Sequence, residues 1–395
     1  ITGDQSWRQV VEETVAYVLR DLSSPGGGIC SAEDADSDGE EGLFYLWTLE
    51  QIREVLGDEP SQVAVDWYGV DAGGNFEGRS ILRRPPGAVI VRPPEVELAR
   101  RELFDARETR VRPGLDDKVL TEWNAMFCSA LAEAAGAMGR SDWASAAGEI
   151  AEFLWTEMRR TEDGRLMRSW QGGRARHLAF AADYAWLVDC FTRMAELSGR
   201  AHWVDRASWA AEELTRLFSD KEGGPLFTSG SDAETLVVRP RDVLDGATPS
   251  ANSVAATALL RLAALTGDET FENRGASLVD VLAPLAREHP LALANSIAAA
   301  AMNGGGATEV VIAGDRRDLV DVVQRRFEPT VVMSWGEPRQ SLLWEGRKEG
   351  LAYVCRRFVC HEPEDSATAL EASLEAARRA DGRDFELGSV ESDAD

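Results

Sequence analysis

The chain has 395 residues, of which 44% are hydrophobic and 28% charged, an ordinary globular balance with enough length for one large domain or two modest ones. Its net charge of -26 opposes binding to nucleic-acid phosphates or an anionic membrane, and no apolar run approaches the roughly 20 residues of a membrane span. The five cysteines, Cys30, Cys128, Cys190, Cys355 and Cys360, are odd in number and lie mostly in apolar contexts, which points to reduced thiols in a cytoplasmic protein.

The chain opens at Ile1, with neither an initiator Met nor a secretory signal, directly before a helical stretch; the expectation is that it begins inside a larger gene product. A repeat organises the chain from there. Gly-x-x-x-aromatic, with a small or β-branched residue four positions on, reads Gly3…Trp7…Val11, Gly139…Trp143…Ala147, Gly199…Trp203…Ala207 and Gly267…Phe271…Gly275. Before the last three glycines lie the apolar runs Met126–Ala135, Ala185–Leu197 and Val254–Leu265; after them come Ala144–Met158, Val204–Phe218 and Glu272–Leu285. Glycine suits a helix end that turns left-handed, and the aromatic staples the next helix to the last. A second marker, a helix end followed by a polar turn and a short extended piece, recurs at Gly27-Gly28-Ile29, Gly164-Arg165-Leu166 and Gly224-Pro225-Leu226. The unit is thus a helical hairpin of roughly 60 residues that must stack on its neighbours. The expected fold is all-α dominated, an (α/α)6-type helical-hairpin toroid.

Two regions break the rhythm. Residues 73–115 are rich in Pro, Arg and Gly and form an insertion, within which Leu98–Arg107 can be a helix. Residues 308–360 read as β-α-β: strands at Glu309–Ala313 and Thr330–Ser334 around a helix at Asp318–Arg326, then a further strand at Ala352–Val359. The expected domains are a toroid over 1–306, a small C-terminal α/β element over 307–380 packed on it, and a disordered acidic tail over 381–395.

In a toroid the inner helices point their N-termini into one funnel, so polar residues just before an inner helix are the site candidates. Four clusters qualify. The first, Ser31 to Thr48, carries Glu33, Asp34, Asp36, Asp38 and Trp47; it starts like an EF-hand loop but has Tyr45 where a bidentate Glu is required, leaving a solvated acidic turn or a polar site loop. The second, Asp116 to Asn124, places Asp117, Lys118, Trp123 and Asn124 at a helix start, either as a cap or as a sugar site in which an aromatic ring stacks and polar groups bond hydroxyls. The third is Asp183-Tyr184-Ala185-Trp186 and the fourth Ser250-Ala251-Asn252-Ser253, each also readable as a plain helix start. There is no phosphate loop, no His-Glu-x-x-His and no Cys-x-x-Cys, so no metal or cofactor is expected. Cys355 and Cys360, five apart on one expected strand, should face opposite sides and not pair. Of the histidines, His177 alone lies just upstream of an inner helix.

Seven strings occur in order: Ser-Ala-Glu-Asp-Ala-Asp-Ser from Ser31, Phe-Tyr-Leu-Trp-Thr from Phe44, Gly-Asn-Phe-Glu-Gly from Gly74, Asp-Asp-Lys-Val-Leu-Thr-Glu-Trp-Asn from Asp116, Asp-Tyr-Ala-Trp from Asp183, Pro-Ser-Ala-Asn-Ser-Val-Ala-Ala from Pro249, and Ala-Tyr-Val-Cys-Arg-Arg-Phe-Val-Cys from Ala352. Together they resemble the YyaL-like family, whose animal members are called spermatogenesis-associated proteins. The resemblance runs from about Ile1 to His361 and implies a thioredoxin-like domain followed by an (α/α) toroid similar to N-acylglucosamine 2-epimerases and six-hairpin glycosidases. It implies further that this chain lacks the thioredoxin-like part and the first inner helix. Glu122, Ala125 and Ala251 depart from the family pattern.

The expected ligand is a small molecule, a sugar, with neither nucleic acid nor membrane as partner. Glycoside hydrolysis needs two carboxylates roughly 5–10 Å apart. Asp34, Asp36, Asp117 and Asp183 can supply such a pair, with Asp36 and Asp117 the leading choice and Lys118 tuning one of them by its charge. Glu33, Asn124, Tyr184, Ser250 and Asn252 would bond the ligand, and Trp47 and Trp123 would stack on it. Epimerisation, which in these toroids uses two His, is the weaker route because His177 stands alone. The alternative is a scaffold without turnover that works with a thioredoxin-like domain. An open ring would expose an apolar flank and favour a homo-oligomer.

Overall fold

An apolar run that ends in glycine carries its own stop signal, because a residue without Cβ turns left-handed at little cost. The computed structural model describes residues 3–220 and 223–380, so the acidic tail expected over 381–395 lies outside the described residues. The chain divides into two units, one of Thr2–Pro25 and Ile29–Lys118, the other of Gly26–Gly28 and everything from Val119 on.

In the N-terminal unit, α1 (Gln5–Asp21) is capped by Asp4, whose carboxylate accepts from the Ser6 N–H at 2.8 Å. Trp7, expected to staple a hairpin, is instead 63% exposed on this helix. Strand β1 (Cys30–Glu33) precedes the hairpin of β2 (Asp36–Ser37) and β3 (Glu40–Glu41). Strand β4 (Leu46–Trp47) leads to α2 (Leu49–Leu56), started by a capping box in which Thr48 and Gln51 bond reciprocally, and to α3 (Asp58–Tyr68). The expected insertion supplies β5 (Ser80–Ile81), which pairs with β4, and α4 (Pro94–Arg107). Ile52, Leu56, Ala64, Ala99 and Leu103 of the three helices form one core. The chain leaves the unit along β6 (Leu115–Leu120).

The other unit is built from the hairpins α5 (Thr121–Met138) with α6 (Ser141–Thr156), α7 (Ala181–Ser198) with α8 (Ala201–Phe218), and α9 (Ala251–Thr266) with α10 (Glu269–Glu288). Gly139, Gly199 and Gly267 close α5, α7 and α9 in the left-handed region, at φ 62°, 68° and 75°, and Trp143, Trp203 and Phe271 are buried behind them. Between α6 and α7 lies the hairpin of β7 (Met167–Gln171) and β8 (Arg174–Leu178); Val119 and Leu120 at the end of β6 pair with Trp170 and Ser169 of β7. Helix α11 (Ala294–Gly305) packs on α9 and α10. Helices α5, α7, α9 and α11 therefore touch in sequence as an inner row, with α6, α8 and α10 behind them. The inner α9 is apolar nearly all round and almost wholly buried, as a helix enclosed by its neighbours must be. This inner and outer layering is that of the (α/α) helical-hairpin toroid class, helix-dominated with a C-terminal α/β element.

That element runs β9 (Thr308–Ile312), α12 (Arg317–Gln324), β10 (Val331–Trp335), β11 (Ala352–Arg356), β12 (Val359–Cys360) and α13 (Ala367–Ala380). Strands β9 and β10 are parallel across the crossover helix, as the spacing implied. The expected single strand at Ala352–Val359 is instead a hairpin: Arg357 and Phe358 turn with φ of 50° and 63°, setting Cys355 directly opposite Cys360. The two form a disulfide, against expectation, because the pairing partners are residues on adjacent strands rather than on one. Glu196 at the end of α7 joins the element to the hairpins; it holds buried Arg261 at 2.6 Å and accepts from the Met333 N–H at 3.1 Å. No helix among the described residues is long and apolar enough to cross a membrane.

Candidate functional site

Carboxylates at helix starts have two uses: they accept from unpaired backbone amides, or they face a ligand. Burial and partners separate the uses here.

In the N-terminal unit, Glu33 is an internal hub. Its carboxylate accepts from Tyr17 Oη at 3.0 Å, Tyr45 Oη at 2.7 Å and Arg112 Nη2 at 3.2 Å. Burial pushes the Tyr45 hydroxyl up, and the Glu33 charge adds to it. Tyr45 at the twelfth position of the EF-hand-like stretch is thus tied inward, and no cluster of metal-ligating side chains occurs among the described residues. Asp34 accepts from the Asp36 N–H at 3.1 Å in a local turn, and Asp36 is exposed on β2. The acidic loop does border an open cavity of about 260 Å³, lined by Ser37, Asp38, Phe44, Gln51, Arg79 and Arg110. Trp47 is not a stacking wall: it is 3% exposed, and the Arg110 guanidinium lies 4.0 Å over its ring. Arg110 is itself anchored by donating to the carbonyls of Phe44 and Leu46 at 3.0 and 2.7 Å.

Asp116, Asp117 and Lys118 lie on β6, not at a helix start, so neither aspartate caps α5; the cap position is Leu120. Lys118 pairs with Asp116 at 3.0 Å, and that hydrogen bond holds Asp116 below the ordinary carboxylate range. Burial, reinforced by the Asp117 charge, pushes the Cys30 thiol up.

In the hairpin unit one carboxylate answers the helix start that lacks a cap of its own. Asp183 of α7 accepts from the Glu122 N–H of α5 at 3.0 Å and from the Phe180 N–H at its own helix start at 2.7 Å. Arg168 from β7 donates to it at 3.1 Å and reaches Glu122 at 3.5 Å. Asp183 is fully buried, and burial pushes its pKa up to about 6 against the pull of Arg168. The raised value has the direction expected of a catalytic acid, but the carboxylate has no exposed surface and its hydrogen bonds join two helix starts. Around the clamp, Trp123 is 44% and Phe180 39% exposed, and Arg168 sits 4.7 Å over the Phe180 ring. The Glu122 side chain keeps 10% of its surface.

The remaining candidates turn inward. Asn124 donates to the Leu120 carbonyl at 3.0 Å. Tyr184 is buried and receives Arg165 at 2.9 Å. Ser250 caps α9 by accepting from the Ser253 N–H at 3.1 Å. The Asn252 amide holds Leu226 on both backbone groups and the Asp242 carbonyl. These four fix the loops beside the inner-helix starts. His177 is exposed on β8 with φ 60°.

Sequence reasoning missed Glu122, Arg168, Phe180 and Asp245. Asp245 accepts from the Ser250 N–H of α9 at 3.0 Å and the Asn295 N–H of α11 at 2.9 Å, repeating for the next helix pair what Asp183 does for α5 and α7. Its signal was present as an aspartate in the loop before a Pro-Ser helix start.

No family model matches the chain. It is similar to spermatogenesis-associated protein 20 of Homo sapiens, 30% identical over 92% of this chain and 54% of that protein, and to the Rattus norvegicus protein of the same name, 31% identical over 87% and 50%. The chain thus spans about half the length of the curated relatives it matches. Among solved structures it is similar to a cellobiose 2-epimerase from Bacillus thermoamylovorans (13% identity, TM-score 0.36, 42% of this chain and 44% of that one). It is also similar to an unsaturated glucuronyl hydrolase from Bacillus sp. GL1 (17% identity, TM-score 0.35, 71% and 69%).

Proposed function

We propose that this chain is a carbohydrate-binding protein whose ligand rests on the face formed where α5 and α7 begin. The observation that carries the reading is an exposed ring, Trp123, at the start of α5, next in the chain to Glu122, whose mostly buried carboxylate pairs with Arg168 and whose amide Asp183 accepts from. A sugar offers an apolar ring face and a rim of hydroxyls; an exposed indole suits the first, and the Glu122 and Arg168 side chains at the same pair of helix starts suit the second. Carboxylate-based processing of that ligand needs a second reachable acid besides Glu122.

The test is the thermal shift of the full chain against mono- and disaccharides, amino sugars and nucleotide-sugars, repeated with Trp123→Ala and Glu122→Gln. Ligand at about 100 Kd stabilises by roughly 2.7 kcal/mol, which a melting curve resolves. A sugar that shifts the native chain and neither variant supports the reading. A shift that survives both substitutions, or no shift from any sugar in a chain that melts cooperatively, removes the site.

A further inference from the structure

Residues directly opposite one another in a sheet share a face, and β9, β11 and β12 set Glu309, Cys355 and Cys360 in one row across three neighbouring strands. The Cα atoms of Cys355 and Cys360 lie 3.8 Å apart. Cys355 and Cys360 are joined as a disulfide. The Glu309 carboxylate accepts from the Phe358 N–H at 3.3 Å, so the residue facing Cys355 also pins the turn that carries Cys360. Burial pushes this carboxyl up to about 7.

A cation arrives from the loop before β11. Arg347 Nη2 lies 2.9 Å from Cys360 Sγ and 3.8 Å from Cys355 Sγ. The side chain is fixed there by donating from Nε to the Leu343 carbonyl at 2.6 Å and by lying 4.6 Å over the Tyr353 ring. A guanidinium held against sulfur favours the thiolate over the thiol. The two sulfurs differ in access: Cys355 is 1% exposed, whereas Cys360 is half-buried beside Val359, itself 75% exposed. The other cysteines, Cys30, Cys128 and Cys190, are buried free thiols.

We propose that the Cys355–Cys360 pair is a thiol–disulfide exchange site whose substrate is a dithiol, with Cys360 the sulfur attacked and Arg347 stabilising the Cys360 thiolate that the second step releases. A thiolate of the dithiol attacks Cys360 Sγ; that S–S bond forms as the Cys355–Cys360 bond breaks, and the electron pair departs on Cys355 Sγ. The dithiol's second thiolate then attacks its own sulfur in the mixed disulfide and expels Cys360 as a thiolate. The dithiol ends as a disulfide, the Cys355–Cys360 pair ends reduced by two electrons, and the two protons released by the dithiol are matched by those the cysteines take up. Glu309 is a positioning residue in this scheme, acting through the turn.

The full chain is equilibrated with dithiothreitol at fixed ratios of reduced to oxidised reagent, quenched with an alkylating agent, and the labelled cysteines are located by peptide mass. Cys355 and Cys360 should label together, as one two-electron couple, in protein whose circular dichroism is unchanged, with Cys30, Cys128 and Cys190 unlabelled. In Cys355→Ser, Cys360 should form a mixed disulfide with an aromatic disulfide reagent, and adding Arg347→Gln should slow this about tenfold near neutral pH and move its pH profile upward. A pair that stays oxidised until the chain unfolds is a structural staple and overturns the proposal; so does finding the two cysteines unpaired in the purified chain, or an unreactive Cys360 in a folded Cys355→Ser. Should that variant fail to fold, the titration of the unsubstituted chain decides alone.

Discussion

Asp183 joins two helix starts through one carboxylate, and Asp183→Ala measures what the joint is worth. The substitution strips the acceptor from the Glu122 and Phe180 amides and takes one of the two carboxylates from Arg168, which keeps Glu122. A buried donor without a partner costs about 1–3 kcal/mol, so the two amides together cost roughly 2–6 kcal/mol. The opposing contribution is the charge that alanine no longer buries. Burial lifts Asp183 from 3.8 to about 6. At about 1.4 kcal/mol per pKa unit, the ionised carboxylate then costs roughly 3 kcal/mol well above pH 6. Between about pH 4 and 6 the native carboxyl holds a proton that the unfolded one has lost, so its contribution to stability falls as pH rises through that window. About half of the loss is reached by pH 5, which makes the substitution about 1–2 kcal/mol more damaging at about pH 5 than at about pH 7.5. Urea unfolding of both proteins at the two pH values reads the difference, and hydrogen exchange at the Glu122 and Phe180 amides localises it. An equal cost at both pH values, or a cost under about 1 kcal/mol at the lower pH with both amides still protected, would refute the clamp.

Asp245 should show the opposite pH dependence. Burial works to raise it, but the Ser250 and Asn295 amides outweigh burial and hold the carboxyl below its ordinary value. Asp245→Ala should cost about 1–2 kcal/mol per cap lost near neutral pH, and the cost should fade as acid protonates the unsubstituted residue; urea unfolding from neutral to acidic pH checks both. Gly275 packs α10 against α9 so closely that an added Cβ would stand 2.9 Å from Leu260 Cγ and 3.2 Å from the Ala256 carbonyl. Gly275→Val should therefore destabilise by about 1–3 kcal/mol, whereas Gly275→Ala should come near neutral, its helix-propensity gain of about 1 kcal/mol offsetting a milder clash; thermal unfolding of the pair separates them.

The three hairpins were legible because each of their signals is local. An apolar run, a glycine in the left-handed region and a buried aromatic four residues on all lie within one stretch of chain, as at Leu197, Gly199 and Trp203. What the sequence hid depends on partners elsewhere in the chain. Asp116 and Asp117 look like caps until Val119 and Leu120 are found paired with Trp170 and Ser169, which extends the strand to the first residue of α5. The turn at Arg357–Phe358 carries neither glycine nor asparagine, so nothing marked the hairpin that brings Cys355 to Cys360. Arg168 and Glu122 meet across 46 residues, beyond the reach of any periodicity.

The same long-range partners decide which carboxylates are left for a ligand. Four inner helices begin on one face, and each start presents amides that need acceptors. Asp183 serves α5 and α7, and Asp245 serves α9 and α11, so both carboxylates are committed to backbone. A sequence scan scores an aspartate before an inner helix as a candidate acid, yet the better such a residue serves two helices, the less of it faces solvent. Asp183 is the extreme case, and its raised pKa comes from the same burial that leaves it no exposed surface. Glu122 differs because its amide, not its carboxylate, is what the clamp holds; its carboxylate pairs with Arg168. On the proposed reading the Glu122 carboxylate, 10% exposed, bonds hydroxyls, whereas cleaving a glycosidic bond takes two carboxylates. Binding of a sugar that survives Asp183→Asn and fails in Glu122→Gln would separate the scaffold from the site on this face.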